Sequence, residues 1–398
     1  MIELLFLLLP LAAATGWFSG RRGRRTGSAP REHNPAYFKG LNLLLNEQPD
    51  KAIDVFVQML EVDSDTVETH LALGNLFRRR GETERAIRIH QNLIARPTLS
   101  KQQRAQALLE LGQDYLRAGL NDRAEGLFDE LLTHKLFQVE ALRNLHLIYQ
   151  QEKAWDKCLV AAGRLEALGE PSLRVERAHY FCELAQQALD ARNNPLAESL
   201  LKKAIAADKK NVRATILLGE LAREQDDFAA AFRFFSRVEV QNADYLGEVI
   251  PQLIECGNKA GKRVLLRQIL ERGADKHGNV EAVKVLADLV QAERGEQAAT
   301  ELLSRFLSHN PSLPGLEHLL SLRLHAAVGE PEPLLLSLRD LIGHMLDAGY
   351  GYRCGHCGFQ ARRLHWQCPS CKNWGSIKPL PVNDCYPSKS NGLLADRL

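Results

Sequence analysis

Four cysteines near the carboxyl end of the 398-residue chain are the residues best suited to chemistry. Cys354 and Cys357 form one C-x-x-C pair, and Cys368 and Cys371 form a second pair after ten intervening residues. Two such pairs that face each other supply four thiolates in a tetrahedral arrangement, which is the ligand set of structural zinc and of iron–sulfur sites. The spacing therefore predicts a metal site with four cysteine ligands.

The residues around these cysteines predict a small metal module over residues 349–380. Gly358 follows the first pair, where the backbone must turn toward sulfur, and Pro369 stiffens the second pair. We interpret His356 and His365 as bystanders because four thiolates complete the site. A segment this short cannot build a core unaided, so we expect its aromatic residues to surround the metal: Tyr352, Phe359, Trp366 and Trp374. We also expect the module to dock onto the preceding helices, with the last hairpin as its neighbour.

The two cysteine pairs resemble the C-x-x-C-G and C-P-x-C knuckles of rubredoxin. Iron and zinc both accept four thiolates, so the spacing leaves one rubredoxin-type iron ion and the alternative, zinc, both open. Lys372 stands where rubredoxins often have glycine, and the segment between the knuckles is far shorter than in rubredoxin. A structural role is therefore favoured, and a rubredoxin-type electron carrier is retained as a less favoured alternative.

The rest of the composition argues against an enzyme. The sequence contains no H-E-x-x-H, no G-x-S-x-G and no phosphate-binding glycine loop. Cys158, Cys182 and Cys256 stand singly in apolar helical segments, as small buried hydrophobic residues do, and Cys385 lies in the tail. With 45% apolar residues and a formal net charge of +2, the chain is expected to fold throughout, without a nucleic-acid partner.

Helical repeats are the elements that must carry the metal module. A small residue, an alanine twelve positions later and a large residue four positions further recur in three segments: Gly40, Ala52 and Phe56; Gly74, Ala86 and His90; Gly112, Ala124 and Phe128. The 34-residue spacing of the first two glycines is the tetratricopeptide period, and small residues let paired helices approach closely. The sequence predicts an all-α tetratricopeptide-repeat superhelix of about nine helical hairpins over residues 35–348, with divergent hairpins at 245–271 and 316–345.

Stacked hairpins leave an extended concave surface, lined mainly by the first helix of each pair, on which proteins and peptides bind. Polar and basic residues on the second and third such helices are predicted to contact an acidic or extended partner segment: Asn75, Arg78, Arg79, Gln113 and Arg117. The same residues are equally consistent with a solvated helix surface.

Residues 1–18 predict a transmembrane anchor. The run from Leu4 to Phe18 carries no charge, and with the first two residues it reaches about 27 Å as a helix. Positive charges follow the run instead of preceding it, unlike a cleaved signal peptide: Arg21, Arg22, Arg24 and Arg25. The positive-inside rule then places the N-terminus in the periplasm and the bulk of the chain in the cytoplasm. Residues 19–34 are predicted to be a basic juxtamembrane linker beside membrane lipid, and residues 381–398 a tail.

The order of these parts resembles one family over essentially the whole chain. An N-terminal span, repeats from Ala36 onward and the terminal Y-R-C-G-H-C-G-F and W-Q-C-P-S-C-K-N-W-G-S segments are similar to the lipopolysaccharide assembly protein B (LapB, or YciM) family of Gram-negative bacteria. The resemblance implies a single-pass inner-membrane protein. It also implies rubredoxin-type iron on the matching cysteines: Cys354, Cys357, Cys368 and Cys371.

The same resemblance implies a function. A member of this family would be a non-enzymatic adaptor that promotes degradation of the lipid A pathway deacetylase (LpxC) by the membrane ATP-dependent protease (FtsH), which restrains lipopolysaccharide synthesis. The alternative is a general assembly scaffold for lipopolysaccharide-synthesis or transport proteins. Homo-oligomerisation is left open.

Overall fold

The computed structural model describes residues 35–46, 48, 51–52, 55, 67–326, 333–348 and 351–380. The predicted membrane anchor, the arginine-rich linker, Phe56 and the tail lie outside the described residues. Among the helices in the described ranges, none is both long and apolar enough to cross a bilayer.

Helices follow one another through most of the described chain. The helices are α1 (Pro35–Leu45), α2 (Val67–Arg79), α3 (Thr83–Ile94), α4 (Lys101–Arg117), α5 (Asn121–Thr133), α6 (Gln138–Gln151), α7 (Trp155–Ala167), α8 (Arg174–Asp190), α9 (Asn194–Ala207), α10 (Val212–Glu224), α11 (Phe228–Gln241), a 3-10 turn (Ala243–Tyr245), α12 (Leu246–Lys259), α13 (Arg263–His277), α14 (Val280–Arg294), α15 (Glu296–His309), α16 (Leu313–Ala326) and α17 (Pro333–Ala348). This succession confirms the predicted helical-repeat architecture.

The described part of the chain divides into two compact units, with the boundary between Ile148 and Tyr149. In the described part of the first unit, α2 packs against α3 and α4 packs against α5. In the second unit the pairs are α8 with α9, α10 with α11, α14 with α15 and α16 with α17. Each pair is a helical hairpin. Contacts of α3 with α4, α9 with α10, α11 with α12 and α15 with α16 join successive hairpins within the same unit, as stacked repeats require.

The predicted small residues lie where paired helices come closest. Ala86 and Ala124 are fully buried, and a side chain added at Gly112 would place its Cβ 2.6 Å from the ring of Phe128. Gly219 has the same relation to Phe235, again at 2.6 Å. These distances are shorter than van der Waals contact, so glycine is required by the approach of an aromatic side chain from the second helix.

The hairpin of α2 and α3 replaces this aromatic contact with a polar one. Gly74 faces the imidazole of His90, whose Nδ1 is hydrogen-bonded to the Asp114 carboxylate of α4, and both side chains are fully buried. The other oxygen of Asp114 accepts from the Arg78 guanidinium at 2.8 Å, and Arg78 also pairs with Glu110 at 2.6 Å. The network links three helices, and removing one partner would leave a buried charge unpaired.

The carboxyl-terminal module is a small antiparallel sheet. Its strands are β1 (Tyr352–Cys354), β2 (Gln360–Ala361) and β3 (Ile377–Pro379), in the order β2-β1-β3. Tyr352 is paired with Ala361 on one side and with Pro379 on the other. The first cysteine pair begins at the end of β1, and β3 follows the second, so the sheet holds the two pairs together.

Candidate metal centre

The four predicted cysteine ligands come together in one cluster. Their sulfur atoms all lie within 4.8 Å of one another. Cys354 Sγ is 3.7 Å from Cys371 Sγ, and Cys357 Sγ is 3.6 Å from Cys368 Sγ. Four sulfurs at about 2.3 Å from one ion lie about 3.8 Å apart in a tetrahedron, so the observed spacing fits a tetrathiolate metal ion. Zinc and iron both satisfy this geometry.

Two left-handed residues shape the turns around the sulfurs. Gly358 has a φ of +78°, and its N–H donates to the carbonyl of Cys354. Lys372 has a φ of +60° and donates its N–H to the carbonyl of Cys368. The second turn therefore adopts the conformation that favours glycine although a lysine occupies it. The departure from the rubredoxin pattern at Lys372 leaves the turn itself intact.

Donors around the sulfurs favour thiolates. The backbone N–H of His356 donates to Cys354 Sγ at 3.4 Å, and the side-chain amide of Asn373 donates to Cys371 Sγ at 3.5 Å. Ser376 Oγ lies 3.3 Å from Cys354 Sγ. Such contacts orient the ligands and stabilise negative charge on sulfur. Sequence reasoning missed Asn373 and Ser376, because single polar residues beside a cysteine motif carry no recognisable signal.

The pKa values of the thiols differ within the cluster. Burial opposes ionisation of Cys354, but the contact with Ser376 and nearby backbone N–H groups outweigh it and lower the pKa to about 6. Burial raises the pKa of Cys368 to about 11. A bound cation ionises all four thiols, so metal binding must release protons, including the proton of Cys368.

Other metal-ligating side chains lie apart from the cluster. Within the described residues, the one group able to hold a metal consists of the four cysteines, and both His356 and His365 are exposed. Cys158 and Cys182 are fully buried in the second unit, and burial raises the pKa of each thiol to about 12. These two cysteines pack as small apolar residues.

The module docks onto distant helices through tryptophan. Trp374 stacks on His179 of α8 at 5.1 Å between ring centroids, and meets the rings of Tyr180 and Trp155 edge-on, each at 5.8 Å. A side chain at Gly375 would place its Cβ 3.2 Å from His179 Nε2. This close aromatic packing buries the predicted Trp374 against helices α7 and α8, whereas Tyr352 and Phe359 pack beside the cysteines as predicted.

Polar contacts extend the docking surface toward α12. The Tyr245 hydroxyl donates to the carbonyl of Ile377 at 2.7 Å, and the Tyr352 hydroxyl donates to Glu248 Oε1 at 2.8 Å. Lys378 pairs with Asp244 at 3.0 Å. Docking onto the preceding helices is therefore confirmed, but these contacts reach back more than one hundred residues and do not involve the last hairpin, which was the expected neighbour. No local pattern marks Tyr245 or Glu248, so the sequence could not reveal this surface.

The predicted partner-binding residues lie on α2 and α4. Arg79 and Arg117 are exposed, and Gln113 is half-buried. Arg78 is held by Glu110 and Asp114, so its guanidinium already has carboxylate partners within the chain. Among the described atoms, the buried Oδ1 of Asn75 has no hydrogen-bond partner. Partner binding by these residues stays a prediction.

Comparison with known proteins identifies both parts of the chain. A family profile described as "Rubredoxin metal binding domain" matches residues 352–379, and tetratricopeptide-repeat profiles match residues 69–105 and 182–245. A lipopolysaccharide assembly protein B of Escherichia coli (strain K12) is 40% identical over 383 residues, covering 96% of this chain and 98% of that protein. The chain belongs to the lipopolysaccharide assembly protein B family. The Haemophilus influenzae protein of that name is 35% identical over 391 residues, with coverages of 96% and 98%.

Family membership links the cysteine cluster and the helical repeats to proteins named for lipopolysaccharide assembly. Its members carry a name that places them in lipopolysaccharide assembly, and the resemblance predicted from the cysteine segments and repeats is thereby confirmed. The family profile spans all four cysteines, which agrees with their convergence in the structure. The part of the chain that the structure describes thus combines a tetratricopeptide array with a metal-binding rubredoxin-like module.

Proposed function

We propose that this protein is a non-enzymatic adaptor at the bacterial inner membrane that presents the lipid A pathway deacetylase (LpxC) to the membrane ATP-dependent protease (FtsH). One observation carries the proposal: the metal module is packed against repeat helices, with Trp374 enclosed by Trp155, His179 and Tyr180. Such packing supports a role for the module as part of a binding scaffold. A carrier of electrons benefits instead from a site that is free to meet its partners.

The rest of the proposal comes from the family and from the sequence. Relatives are named for lipopolysaccharide assembly, and tetratricopeptide arrays bind protein segments. The predicted span over residues 1–18 would confine the adaptor to the membrane that holds the protease, which raises the effective concentration of the two proteins. In the module, the four cysteines would hold iron or zinc, and the metal would keep the strands folded against the array.

The lifetime of the deacetylase tests the proposal. Depleting the protein in cells should lengthen the half-life of the deacetylase in a chase experiment and raise the amount of lipopolysaccharide. An unchanged half-life with altered lipopolysaccharide would favour a general assembly scaffold instead. The matched comparison is a chain without residues 1–18, which should remain helical yet restore degradation poorly, because it retains the array but loses the predicted span.

The predicted partner surface has its own test. Arg79→Glu combined with Arg117→Glu should weaken co-purification of the deacetylase or the protease, since both side chains are exposed on predicted groove helices. The control is Arg305→Glu combined with Arg294→Glu, which changes the net charge equally on other helices. Equal loss in both double variants would exclude a specific role for Arg79 and Arg117.

A further inference from the structure

A cationic cleft lies between the beginning of α8 and the end of α9, away from the metal cysteines in the sequence. Its volume is about 530 Å³. The lining consists of Ser172, Arg174, Arg177, Phe181, Lys203 and the adjacent alanines 206 and 207. Three cationic groups, one hydroxyl and an apolar wall thus meet in one space.

The positive charge of this cleft is only partly neutralised. Within the described part of the chain, neither Arg174 nor Lys203 has an acidic partner. Arg177 pairs with Glu166 at 2.8 Å, but the buried Nε of Arg177 has no hydrogen-bond partner among the described atoms. Glu166 also accepts hydrogen bonds from the hydroxyl of Ser172 and a backbone N–H, so this carboxylate is already engaged within the chain.

The wall of the cleft is apolar. Phe181 and Ala207 are half-buried and pack against the core of their repeat, which fixes their position. A site for a simple inorganic anion needs no such surface. Guanidinium and ammonium groups beside a fixed aromatic ring match a molecule that carries a phosphate next to an apolar part, because Arg binds phosphate oxygens in pairs and the ring covers the apolar part.

We propose that this cleft binds the phosphate group of an amphipathic ligand. Arg174, Arg177 and Lys203 contact the phosphate, and Phe181 contacts the apolar part next to it. Two sources supply this chemistry: a phosphorylated lipid in the membrane, or a soluble phosphate ester with an apolar group. The proposal concerns a site outside the metal centre and does not depend on the adaptor role.

Calorimetric titration of the detergent-solubilised full chain tests the site. Short-chain phosphatidic acid, used as a monomer, should bind, whereas short-chain phosphatidylcholine should not. The double variant with Arg174→Gln and Lys203→Gln should bind phosphatidic acid at least about tenfold more weakly, because two charge-assisted contacts are lost. Binding should also weaken with added salt. Unchanged affinity in this variant would overturn the proposal.

Two further variants separate binding from folding. Lys202→Gln with Lys276→Gln removes the same charge outside the cleft and should bind normally, since Lys202 is already paired with Glu198. The charge-preserving pair Arg174→Lys and Lys203→Arg should retain binding if the cations themselves contact the phosphate. Loss of binding in the control pair with unchanged thermal melting would show a non-specific charge effect and overturn the site.

Competition experiments identify the source of the ligand. Inorganic phosphate should compete only weakly, and competition equal to that of phosphatidic acid would overturn the role of Phe181. In nanodiscs, bilayer phosphatidic acid that displaces a soluble phosphate-ester probe from the reconstituted full chain would support the lipid source. Retention of the probe would support a soluble ester. An acidic peptide that binds in place of phosphatidic acid, with the same sensitivity to the variants, would refute a phosphate site.

Discussion

The helical hairpins are stabilised by local contacts, whereas the metal module is stabilised by its cysteine ligands and by contacts with distant residues. In the hairpins, Gly219 receives the ring of Phe235 from the next helix, so the contact is local and recurs along the array. In the module, three strands of two or three residues depend on four cysteines and on remote aromatic residues such as His179. Repeat stability is a sum over neighbours, whereas a segment this small needs a metal. The comparison predicts that the hairpins fold without the module, and the module needs both the metal and the hairpins.

The largest expected effect is unfolding of the metal module while the helical hairpins stay folded. Cys354→Ser with Cys357→Ser leaves two thiolates, which cannot close a tetrahedral site, and structural metal contributes about 10 kcal/mol or more to such segments. We expect complete loss of bound metal by elemental analysis and proteolysis of the module. Helical circular dichroism should change little.

The structure adds a second consequence of these serine substitutions. Hydrogen exchange should increase in α8 and near Tyr245, because Trp374 and Ile377 leave those surfaces. Cys182→Ala with Cys256→Ala is the matched control and should keep its metal. A serine variant that retains one equivalent of metal would contradict the four-cysteine assignment.

The next largest effect is destabilisation of one helical hairpin while the metal module keeps its metal ligands. Gly219→Ala places a methyl 2.6 Å from the Phe235 ring and should lower the free energy of unfolding by about 1–3 kcal/mol. Gly126→Ala is the control, because nothing lies within 4 Å of its added Cβ on helix α5. That change should raise the free energy of unfolding by about 0.5–1 kcal/mol. Denaturant titration measures both, and equal effects would show that glycine serves only flexibility at these positions.

A pH effect is expected where the two regions meet. Burial, with a smaller contribution from Arg213, lowers the pKa of His179 to about 3. In the unfolded chain the pKa of this histidine is about 6.5. Between the folded and unfolded pKa values, His179 is therefore protonated in the unfolded chain and neutral in the folded chain. Stability from neutral His179 is therefore full above about pH 6.5 and falls as the pH decreases, by up to about 2 kcal/mol at pH 5.

A His179→Phe variant separates the effect of this imidazole from the loss of metal at low pH. Metal loss affects both proteins, so the difference between them reports on His179. Denaturant titration at neutral pH and at about pH 5 should show a smaller loss of stability in the variant. An equal decrease in the free energy of unfolding between neutral pH and about pH 5 in the two proteins would exclude His179 as the source of the pH dependence.

The smallest effect concerns one hydrogen bond of the docking surface. Tyr245→Phe removes the 2.7 Å hydrogen bond to the carbonyl of Ile377 and should weaken docking by about 1 kcal/mol. A chelator should then remove the metal faster from the variant than from the wild type. Tyr352→Phe, which loses a bond to the less buried Glu248, should have a smaller effect. A reversed order would mean that the surface near α12 dominates docking.

Local spacing made the hairpins and the metal ligands predictable. Gly112, Ala124 and Phe128 repeat a pattern that helical geometry imposes, and the cysteine pairs repeat one that tetrahedral coordination imposes. The docking of Trp374 on His179 was not predictable, because no rule of spacing connects residues that meet only in the folded chain. The ion pairs of Arg78 were also not predictable. The helix pattern placed Arg78 on an exposed surface and gave no sign that two carboxylates of α4 contact it.

The reach of the module back to Tyr245 and His179 fixes an order of events during synthesis. Residues 351–380 leave the ribosome after every repeat helix described here, and domains fold as they emerge. The ring surfaces of Trp155, His179 and Tyr180 are therefore finished before Trp374 exists to cover them. We therefore expect a nascent chain, or a completed chain without metal, to expose an aromatic patch that the docked module covers.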